Sequence, residues 1–555
     1  MKINFTPWLH ATAKYAFDYY RTKIEDTNRT NGTSEIVLQD RFNKGEENFF
    51  EQNAEFMILG DNQLNPDFRL GYSIGGNIMY QSQEALMTSG QNMPIKDHWF
   101  LNYADKTLAN QSFKEKAVRS IFATAQLSFK EYLSLDLTAR NDWSTTVKDS
   151  YFYPSASLSF IISDFIKSTN YNVPSWLTFA KLRLSAAQVG KDTEPYTSLN
   201  YMGWTQSFEG PSIISDKTKA NPDVKPEIST SYEIGIDARF FDNRLGLDFT
   251  WYHSMTKNQI MKVPTSGAWE SKWINAGRIL NKGIELMVYA TPVKTKDFNF
   301  DLNINLSHNR SIVKELHESA KYMEFKGEDK LLVRVGAEEG GLLGDIYPII
   351  TYLKDANGNI LVEDDGRPKK GYNKNREKIG NIQPDLLMSV TPTFSYKNIF
   401  LSALFDMKFG GDIVSVSEAI ATYYGTAQRT EKRDNLIFPG VHDDGTPNTQ
   451  AISARQYYQS IGGEQAVAEE FIYDASFIKL KEISLGYSFP KQILKKTPFT
   501  ALKVSFVGRN LCYLLKHTPG TSPEGGFDTS MFSQAIDFTS VPYSRTLGFS
   551  VSVGF

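Results

Sequence analysis

The sequence has almost no cysteine and no long hydrophobic run. Cys512 is the only cysteine in 555 residues, so disulfide frameworks and cysteine metal sites are excluded. We expect Cys512 itself to be a small packed hydrophobic residue. No apolar run approaches the roughly 18 to 20 residues that a membrane helix needs. Any segments that span a membrane must therefore be strands.

An excess of charge of one sign is also lacking. The 60 basic and 63 acidic residues give a net charge of -3, which offers no case for nucleic-acid binding. The seven histidines lack the HExxH and HxH spacings, so we expect no metal site and no cofactor.

The first residues do not follow the order of a signal peptide, while residues 8–20 already have a strand pattern. We therefore expect the sequence to begin in mid-domain.

Two-sided strands recur along the chain. Apolar residues alternate with polar or small ones over about ten positions, which is the signature of transmembrane β-strands. Asn and Asp on the polar side suit a wet interior, whereas the apolar side suits lipid. The clearest apolar sets are Leu133, Leu135, Leu137 and Ala139; Leu245, Leu247, Phe249 and Trp251; and Phe298, Phe300, Leu302, Ile304 and Leu306.

The same alternation continues to the last residue, Phe555. Leu547, Phe549, Val551 and Val553 share one face of this strand with Phe555. A globular protein seldom ends on an apolar edge strand, because an uncovered edge invites aggregation. We expect Phe555 to act as an assembly signal for the machinery that inserts barrels. The alternative is that Phe555 lies in an aromatic girdle and contributes only local burial.

Connections between the strands alternate between short and long, as in outer-membrane barrels with short periplasmic turns and longer extracellular loops. We predict an all-β, transmembrane, antiparallel up-and-down barrel with about 16 strands. This is fewer than the roughly 22 strands of transporters with a plugged lumen. Residues 1–555 are expected to form one part of a barrel, without its plug. The predicted long connections are 516–544, 411–476, 310–384, 191–228 and 83–113.

Two enzyme or metal motifs lack the context that their chemistry needs. Residues 71–75 fit the GxSxG pattern of a nucleophile elbow, but more strand follows where a helix is required. Residues 355–359 resemble the start of a calcium loop, but Ile360 replaces the turn glycine and Gly366 replaces the bidentate glutamate. We expect a lumen-facing or interstrand Ser73 and a surface turn, and we do not expect an enzyme.

Several blocks resemble the C-terminal barrel of SusC-like, TonB-dependent outer-membrane transporters. They include RNDWSTTV and YFYPSASLSF near Tyr151, KLRLSAAQVGKDTEPY ending at Tyr196, and NAGRILNKGIEL ending at Leu286. They follow family order along almost the whole chain. The resemblance implies energised import of glycan or peptide fragments at the bacterial outer membrane. It also implies a SusD-like lipoprotein as lid, and a TonB complex that engages an N-terminal plug.

Aromatic residues in the long connections are candidate substrate contacts. Sugars present flat apolar faces and hydroxyls, so their sites combine aromatic platforms with planar polar groups. An alternative for residues near strand ends, such as Trp273, is an aromatic girdle at the membrane interface. The candidates are Tyr201, Trp204, Trp269, Trp273, Tyr423, Tyr424 and Phe527, together with Phe208 and Phe532.

Two other function classes share parts of this pattern. A passive porin or adhesin barrel has the same strand physics but would not carry the blocks of the SusC-like family. A soluble carbohydrate-binding β-protein would lack an apolar outer belt. Importer, passive barrel and soluble binder therefore all stand as alternatives at this point, with the importer favoured.

Overall fold

A computed structural model describes residues 1–28, 40–93, 95, 97–169, 171–200, 202–207, 210–215, 217–265, 269–317, 321–327, 332–527 and 530–555. The chain divides into two compact units. Unit 1 comprises Met1–Phe160, Arg183–Tyr232 and Met255–Arg278. Unit 2 comprises Ile161–Leu182, Glu233–Ser254 and Ile279–Phe555.

Strands dominate both units. In chain order they are β1 (Lys2–Asn4), β2 (Leu9–Asn28), β3 (Arg41–Gln63), β4 (Phe68–Gln91), β5 (Lys106–Phe129), β6 (Leu133–Ser144), β7 (Tyr151–Ile161), β8 (Leu177–Lys191), β9 (Met202–Ser207), β10 (Gly210–Ser215), β11 (Thr218–Lys219), β12 (Glu227–Phe240), β13 (Leu245–Lys257), β14 (Ile260–Pro264), β15 (Ser271–Asn275), β16 (Arg278–Lys294) and β17 (Phe298–Glu315). They continue with β18 (Tyr322–Gly327), β19 (Val333–Glu338), β20 (Asp345–Pro348), β21 (Ile350–Tyr352), β22 (Lys370–Tyr372), β23 (Gly380–Asn381), β24 (Leu386–Tyr396), β25 (Ile399–Phe409), β26 (Asp412–Ser415), β27 (Leu436–Ile437), β28 (Ala451–Ile452), β29 (Ile472–Asp474), β30 (Phe477–Ser488), β31 (Ala501–Lys516), β32 (Ile536–Asp537) and β33 (Thr546–Gly554).

Helices are short and lie in the connections. They are α1 (Ile162–Ser168), α2 (Val416–Tyr424), α3 (Ala454–Ile461) and α4 (Lys491–Leu494), with 3-10 turns at Leu101–Tyr103, Gln428–Thr430, Ala468–Glu470 and Met531–Ala535. Within the ranges that the structure describes, no helix has both the length and the apolar character needed to cross a membrane.

Seventeen of the described strands belong to one sheet. Its members are β1 to β8, β12, β13, β16, β17, β24, β25, β30, β31 and β33, and along the chain each pairs with the next. The register pairs recorded for these strands are antiparallel. This up-and-down order confirms the predicted all-β class, and the three-residue β1 accounts for the difference from about 16 strands.

In unit 1 the strand register places apolar residues on one face of the sheet and polar residues on the other. One row across four strands is wholly leucine: Leu70, Leu127, Leu135 and Leu158. A row on the other face consists of residues with hydroxyl side chains. Ser73 Oγ lies 2.7 Å from Thr124 Oγ1, and Thr138 Oγ1 lies 2.6 Å from Ser155 Oγ. The face that bears the hydroxyls can form hydrogen bonds with polar groups and water, whereas the leucine face cannot.

Unit 2 repeats this division over six strands. One row contains only large apolar residues, and each pairs directly with the next: Phe300, Phe394, Leu401, Leu485, Phe506 and Phe549. The rings of Phe300 and Phe394 stack with centroids 4.6 Å apart and an angle of 6°. None of the six lies in a buried core. Phe300 belongs to one of the apolar sets found in the sequence, and its place outside the buried core agrees with the predicted lipid-facing side.

The predicted order of short and long connections is confirmed, except at one loop. The sequence suggested a long connection over 83–113, but β4 continues to Gln91 and β5 begins at Lys106. Polar cross-strand bonds extend this hairpin, such as the 2.7 Å bond that Gln111 Nε2 donates to Glu84 Oε1. The predicted bounds were wrong because these ends of β4 and β5 lack the regular alternation of apolar and polar residues that marks the other strands.

Three single-site predictions can now be judged. Ser73 lies within β4 and bonds Thr124, so the rejection of a nucleophile elbow is confirmed. Asp355 Oδ1 accepts hydrogen bonds from the backbone nitrogens of Asn357 and Asn359, as expected of a surface turn. The prediction that Cys512 is a packed residue is wrong, because this residue is exposed. It pairs with Leu480 of β30.

Candidate functional site

Three long connections of unit 2 contribute to one structured body, which we call the loop assembly (the described residues of 316–385, 410–476 and 517–545). β26 pairs antiparallel with β29 and parallel with β32, which joins the second connection to the third. Their common core is almost wholly excluded from solvent. It is formed by Leu332, Val333, Val335, Ile346, Val414, Val416, Ala419, Ala466, Ala468, Phe471 and Ile536. These connections are therefore a packed structure and not open loops.

A second core in the loop assembly supports the turn at residues 363–366 and helix α3. Tyr352, Val362, Phe438 and Tyr458 form part of this core. Tyr352 donates a 3.0 Å hydrogen bond to Glu470 Oε1, and burial, reinforced by Glu470, raises the pKa of its hydroxyl. The tyrosine hydroxyl thus stays protonated and keeps its bond at any physiological pH.

Local capping signals explain the two helices of this region. Ser415 caps α2 by accepting a 3.1 Å hydrogen bond from the nitrogen of Glu418, and Gly425 ends the helix at φ 71°. Ser453 and Gln456 form a capping box at the start of α3. α2 ends at Tyr424, so both candidate tyrosines lie in its last turn.

A cavity of about 720 Å³ lies in the loop assembly beside these helices. Its wall combines an acidic turn, the polar face of α3 and one aromatic ring. The lining residues are Glu363, Asp364, Asp365, Arg367, Pro368, Lys370, Tyr423, Gln456, Gln459 and Ser460. Tyr423, a substrate contact predicted from the sequence, is therefore part of a cavity wall.

Both cations of the cavity wall already have partners. Arg367 Nε donates a 2.8 Å hydrogen bond to Asp365 Oδ2, which lowers the pKa of that carboxyl. Lys370 donates 3.0 Å hydrogen bonds to the carbonyl oxygens of Ser460 and Gln465, and burial lowers the pKa of its ammonium. The two cations therefore hold the wall together, and its three carboxylates outnumber them.

The Tyr423 ring is held in place by a close glycine. A Cβ added at Gly463 would lie 2.8 Å from Tyr423 Cδ2, so the ring packs directly on this backbone. Gly463 has φ 88°, a conformation that favours glycine. Its nitrogen donates a 2.9 Å hydrogen bond to the carbonyl of Ala419 in α2. The adjacent Tyr424 is different, because 74% of its surface is exposed and it does not line the cavity.

The other predicted contacts lie elsewhere. In unit 1, Trp269 is half-buried between β14 and β15, and Lys262 Nζ lies 4.8 Å from the ring centroid of Trp273. Trp204 lies in β9 opposite Ile213, while Tyr201 and Phe208 fall outside the described residues.

In unit 2, Phe527 packs against the first core and pairs with Phe538 at 5.6 Å, and Phe532 stacks on Phe325 at 4.3 Å. The two phenylalanines of the last connection therefore support the loop assembly, and neither lines the cavity.

Sequence reasoning missed the polar residues that complete the cavity. Glu363, Asp364, Gln456 and Gln459 carry no motif of their own. The S-x-x-E and S-x-x-Q spacings that begin at Ser415 and Ser453 would have predicted the helices, but not which helix face meets a cavity. In the described ranges, no group of three or more His, Cys, Asp or Glu residues is arranged to hold a metal ion.

Comparison with known proteins identifies the family. The family model described as TonB dependent receptor-like, beta-barrel matches residues 3–338, which is more than half of the chain. The chain belongs to this family. Its members are outer-membrane proteins, so the apolar face of the sheet meets lipid and the polar face meets the barrel interior.

Curated relatives carry receptor names. TonB-dependent receptor P3 of Formosa agariphila is 23% identical over 554 residues, covering 92% of this chain and 53% of its own length. TonB-dependent receptor SusC of Bacteroides thetaiotaomicron is 26% identical, covering 72% of this chain and 40% of its own length. The chain thus spans about half the length of the curated relatives that it matches.

Solved structures share the fold. The structure titled as the RagAB peptide transporter superposes with a TM-score of 0.76 at 17% identity. The match covers 100% of this chain and 61% of that chain. A second structure of the RagAB peptide importer, in its closed-closed state, gives a TM-score of 0.77. The similarity to a SusC-like transporter that the sequence blocks indicated is confirmed at the level of family and fold.

Lipid contact predicts unequal costs for a charge on the two faces of β17. Leu302 pairs with Pro392 on the apolar face, whereas its neighbour Asn303 pairs with Thr391 on the polar face. Leu302→Arg is expected to lower the free energy of unfolding in a bilayer by about 2 to 4 kcal/mol, while Asn303→Arg is nearly neutral. Urea unfolding of the full-length protein in lipid vesicles measures both values. Equal costs at the two positions contradict lipid exposure of Leu302.

Proposed function

We propose that this chain is part of an outer-membrane TonB-dependent importer of glycan or peptide fragments, acting with a SusD-like lipoprotein. The observation that supports it most is the loop assembly, in which a cavity with an aromatic ring and planar polar groups lies beyond one end of the strands. Such a wall suits ligand capture better than free diffusion through a pore. Family membership adds the expectation that import is energised.

The partners follow from the same proposal. The RagAB structures are titled as a peptide transporter and importer, and a SusC protein is among the curated relatives. We propose by analogy that a SusD-like lipoprotein covers the substrate path and that the TonB complex engages a plug. Lipid surrounds the apolar face, and the insertion machinery for barrels recognises the last strand. A passive barrel or a soluble binder has no observation in its favour once the family is known.

Uptake in living cells tests the proposal. A strain that lacks the full-length gene is complemented with it, and uptake of fluorescent oligosaccharides and peptides is followed with and without a protonophore. We expect uptake that requires the gene and stops when the proton gradient collapses. Copurification of a lipoprotein with the tagged full-length protein tests the partner. Uptake that continues unchanged in the presence of the protonophore points to a passive pore and overturns the proposal.

A further inference from the structure

The cavity of the loop assembly has a chemistry that selects among glycans and peptides. Its only exposed aromatic surface is the Tyr423 ring, and Pro368 is its only other apolar side chain. The remaining lining groups are carboxylates, amides, a hydroxyl and two cations that are already bonded. A ligand for this wall needs many hydroxyl groups and one flat apolar face.

The ring of Tyr423 is pre-organised for stacking. It rests on the backbone of Gly463, whose own position is fixed by the bond to Ala419. The ring of Tyr424 meets it edge-on, with centroids 5.3 Å apart and an angle of 81°. A ring that is already fixed loses little conformational entropy when a sugar stacks on it, so more of the contact energy appears as affinity.

The polar groups of the wall complement sugar hydroxyls. Gln456 uses its side-chain oxygen to accept hydrogen bonds from the Ser453 nitrogen and hydroxyl, which leaves its amide nitrogen as a donor. Among the described residues, no ion pair is recorded for Glu363 or Asp364. Carboxylates accept strong hydrogen bonds from hydroxyl groups, but they repel other anions.

We propose that this cavity is a subsite for neutral, hydroxyl-rich oligosaccharides, in which one sugar ring stacks on Tyr423 and its hydroxyls bond Glu363, Asp364 and Gln459. The inference rests on the proposed import function and specifies its substrate class. Peptides fit less well, because tight peptide contacts rely on apolar anchors in dry pockets, and this wall offers almost none. Uronate or sulfated glycans fit less well because the carboxylates of the wall outnumber its cations.

Binding to the full-length protein in detergent micelles tests the subsite. Isothermal titration uses three probe classes: neutral oligosaccharides (maltoheptaose, xylohexaose and mannohexaose), oligogalacturonates, and a lysine-glycine hexapeptide. We expect binding of at least one neutral oligosaccharide, and Tyr423→Ala should weaken it about tenfold. Tyr423→Phe keeps the ring and should retain most of the affinity.

The control is Tyr372→Ala, which removes an exposed tyrosine of the loop assembly that does not line the cavity. We expect it to change affinity by less than about twofold. The double variant Glu363→Gln, Asp364→Asn should weaken the neutral probe and strengthen oligogalacturonate binding. Thermal unfolding of each variant shows whether the loop assembly is intact.

Three outcomes would contradict the proposed subsite. Binding of the peptide in preference to all neutral sugars means that the cavity takes peptides. Equal losses for Tyr423→Ala and Tyr372→Ala mean that the cavity is not where the sugar binds. Absence of binding by every neutral probe likewise removes the inference. The import proposal is judged separately, because protonophore-sensitive uptake that persists in the Tyr423→Ala strain leaves it standing while the subsite fails.

Discussion

Replacing Phe555 by alanine is expected to abolish insertion of the full-length protein into the outer membrane. β33 pairs antiparallel with β31 from Thr546 to Gly554. Phe555 follows this strand with 85% of its surface exposed. An apolar strand followed by an exposed aromatic residue is suited to recognition by β-augmentation. Heat-modifiable migration on a gel measures the inserted fraction.

A role in local burial alone predicts a much smaller effect. Complete burial of a phenylalanine contributes about 1.5 to 3 kcal/mol, and Phe555 is far from complete burial. Its ring contacts Phe499, with centroids 5.5 Å apart. Phe499→Ala is therefore the matched control, because it removes the same contact and leaves the last residue intact. If both variants insert as well as the unaltered protein, Phe555 is not an assembly signal.

Removing the carboxylate of Glu524 is expected to open the last connection of the loop assembly. Lys479 has only 4% of its side chain exposed, and its ammonium lies 2.5 Å from Glu524 Oε2. Tyr513 donates a 2.5 Å hydrogen bond to the same oxygen. The ammonium also lies 5.1 Å from the Tyr513 ring centroid and 5.0 Å from that of Tyr543. This cluster ties residues 517–545 to β30.

Glu524→Ala leaves a buried ammonium without its counter-charge, which costs about 3 kcal/mol in the free energy of local opening. Hydrogen exchange of residues 517–545, followed by mass spectrometry, measures this opening. The control is Asp443→Ala, which breaks the exposed pair with Lys369 and is expected to cost at most about 1 kcal/mol. Similar exchange rates in the two variants would show that the Lys479 cluster does not hold the connection.

The strands could be predicted from the sequence because apolar and polar residues alternate along a membrane-spanning strand. Leu302 and Asn303 differ in character because they face different solvents, and that difference repeats at every second residue. The polar extension of the hairpin from β4 to β5 could not be predicted in this way. Regular alternation is absent there, although the backbone ladder and cross-strand pairs such as Gln111 with Glu84 join the two strands.

The candidate site was less accessible to prediction. Tyr423 and Phe527 were equivalent as aromatic residues in long connections, yet Tyr423 lines a cavity and Phe527 packs against a buried core. Composition does not separate an aromatic residue that binds from one that fills a core, because both need the same apolar surface. The distinction came from Gly463, whose backbone holds the Tyr423 ring beside the cavity.

The sequence by itself determined the family, the all-β class, the two faces of the strands and the order of short and long connections. These features depend on residues near one another in the chain, whose period and spacing are visible directly. Only the tertiary structure decided that three connections form one packed body, that Glu363 and Gln459 meet Tyr423, and that Lys479 meets Glu524. Such contacts join segments that lie far apart in the chain. Many combinations of contacting segments are equally compatible with the composition, and packing selects among them. No local sequence pattern encodes this packing.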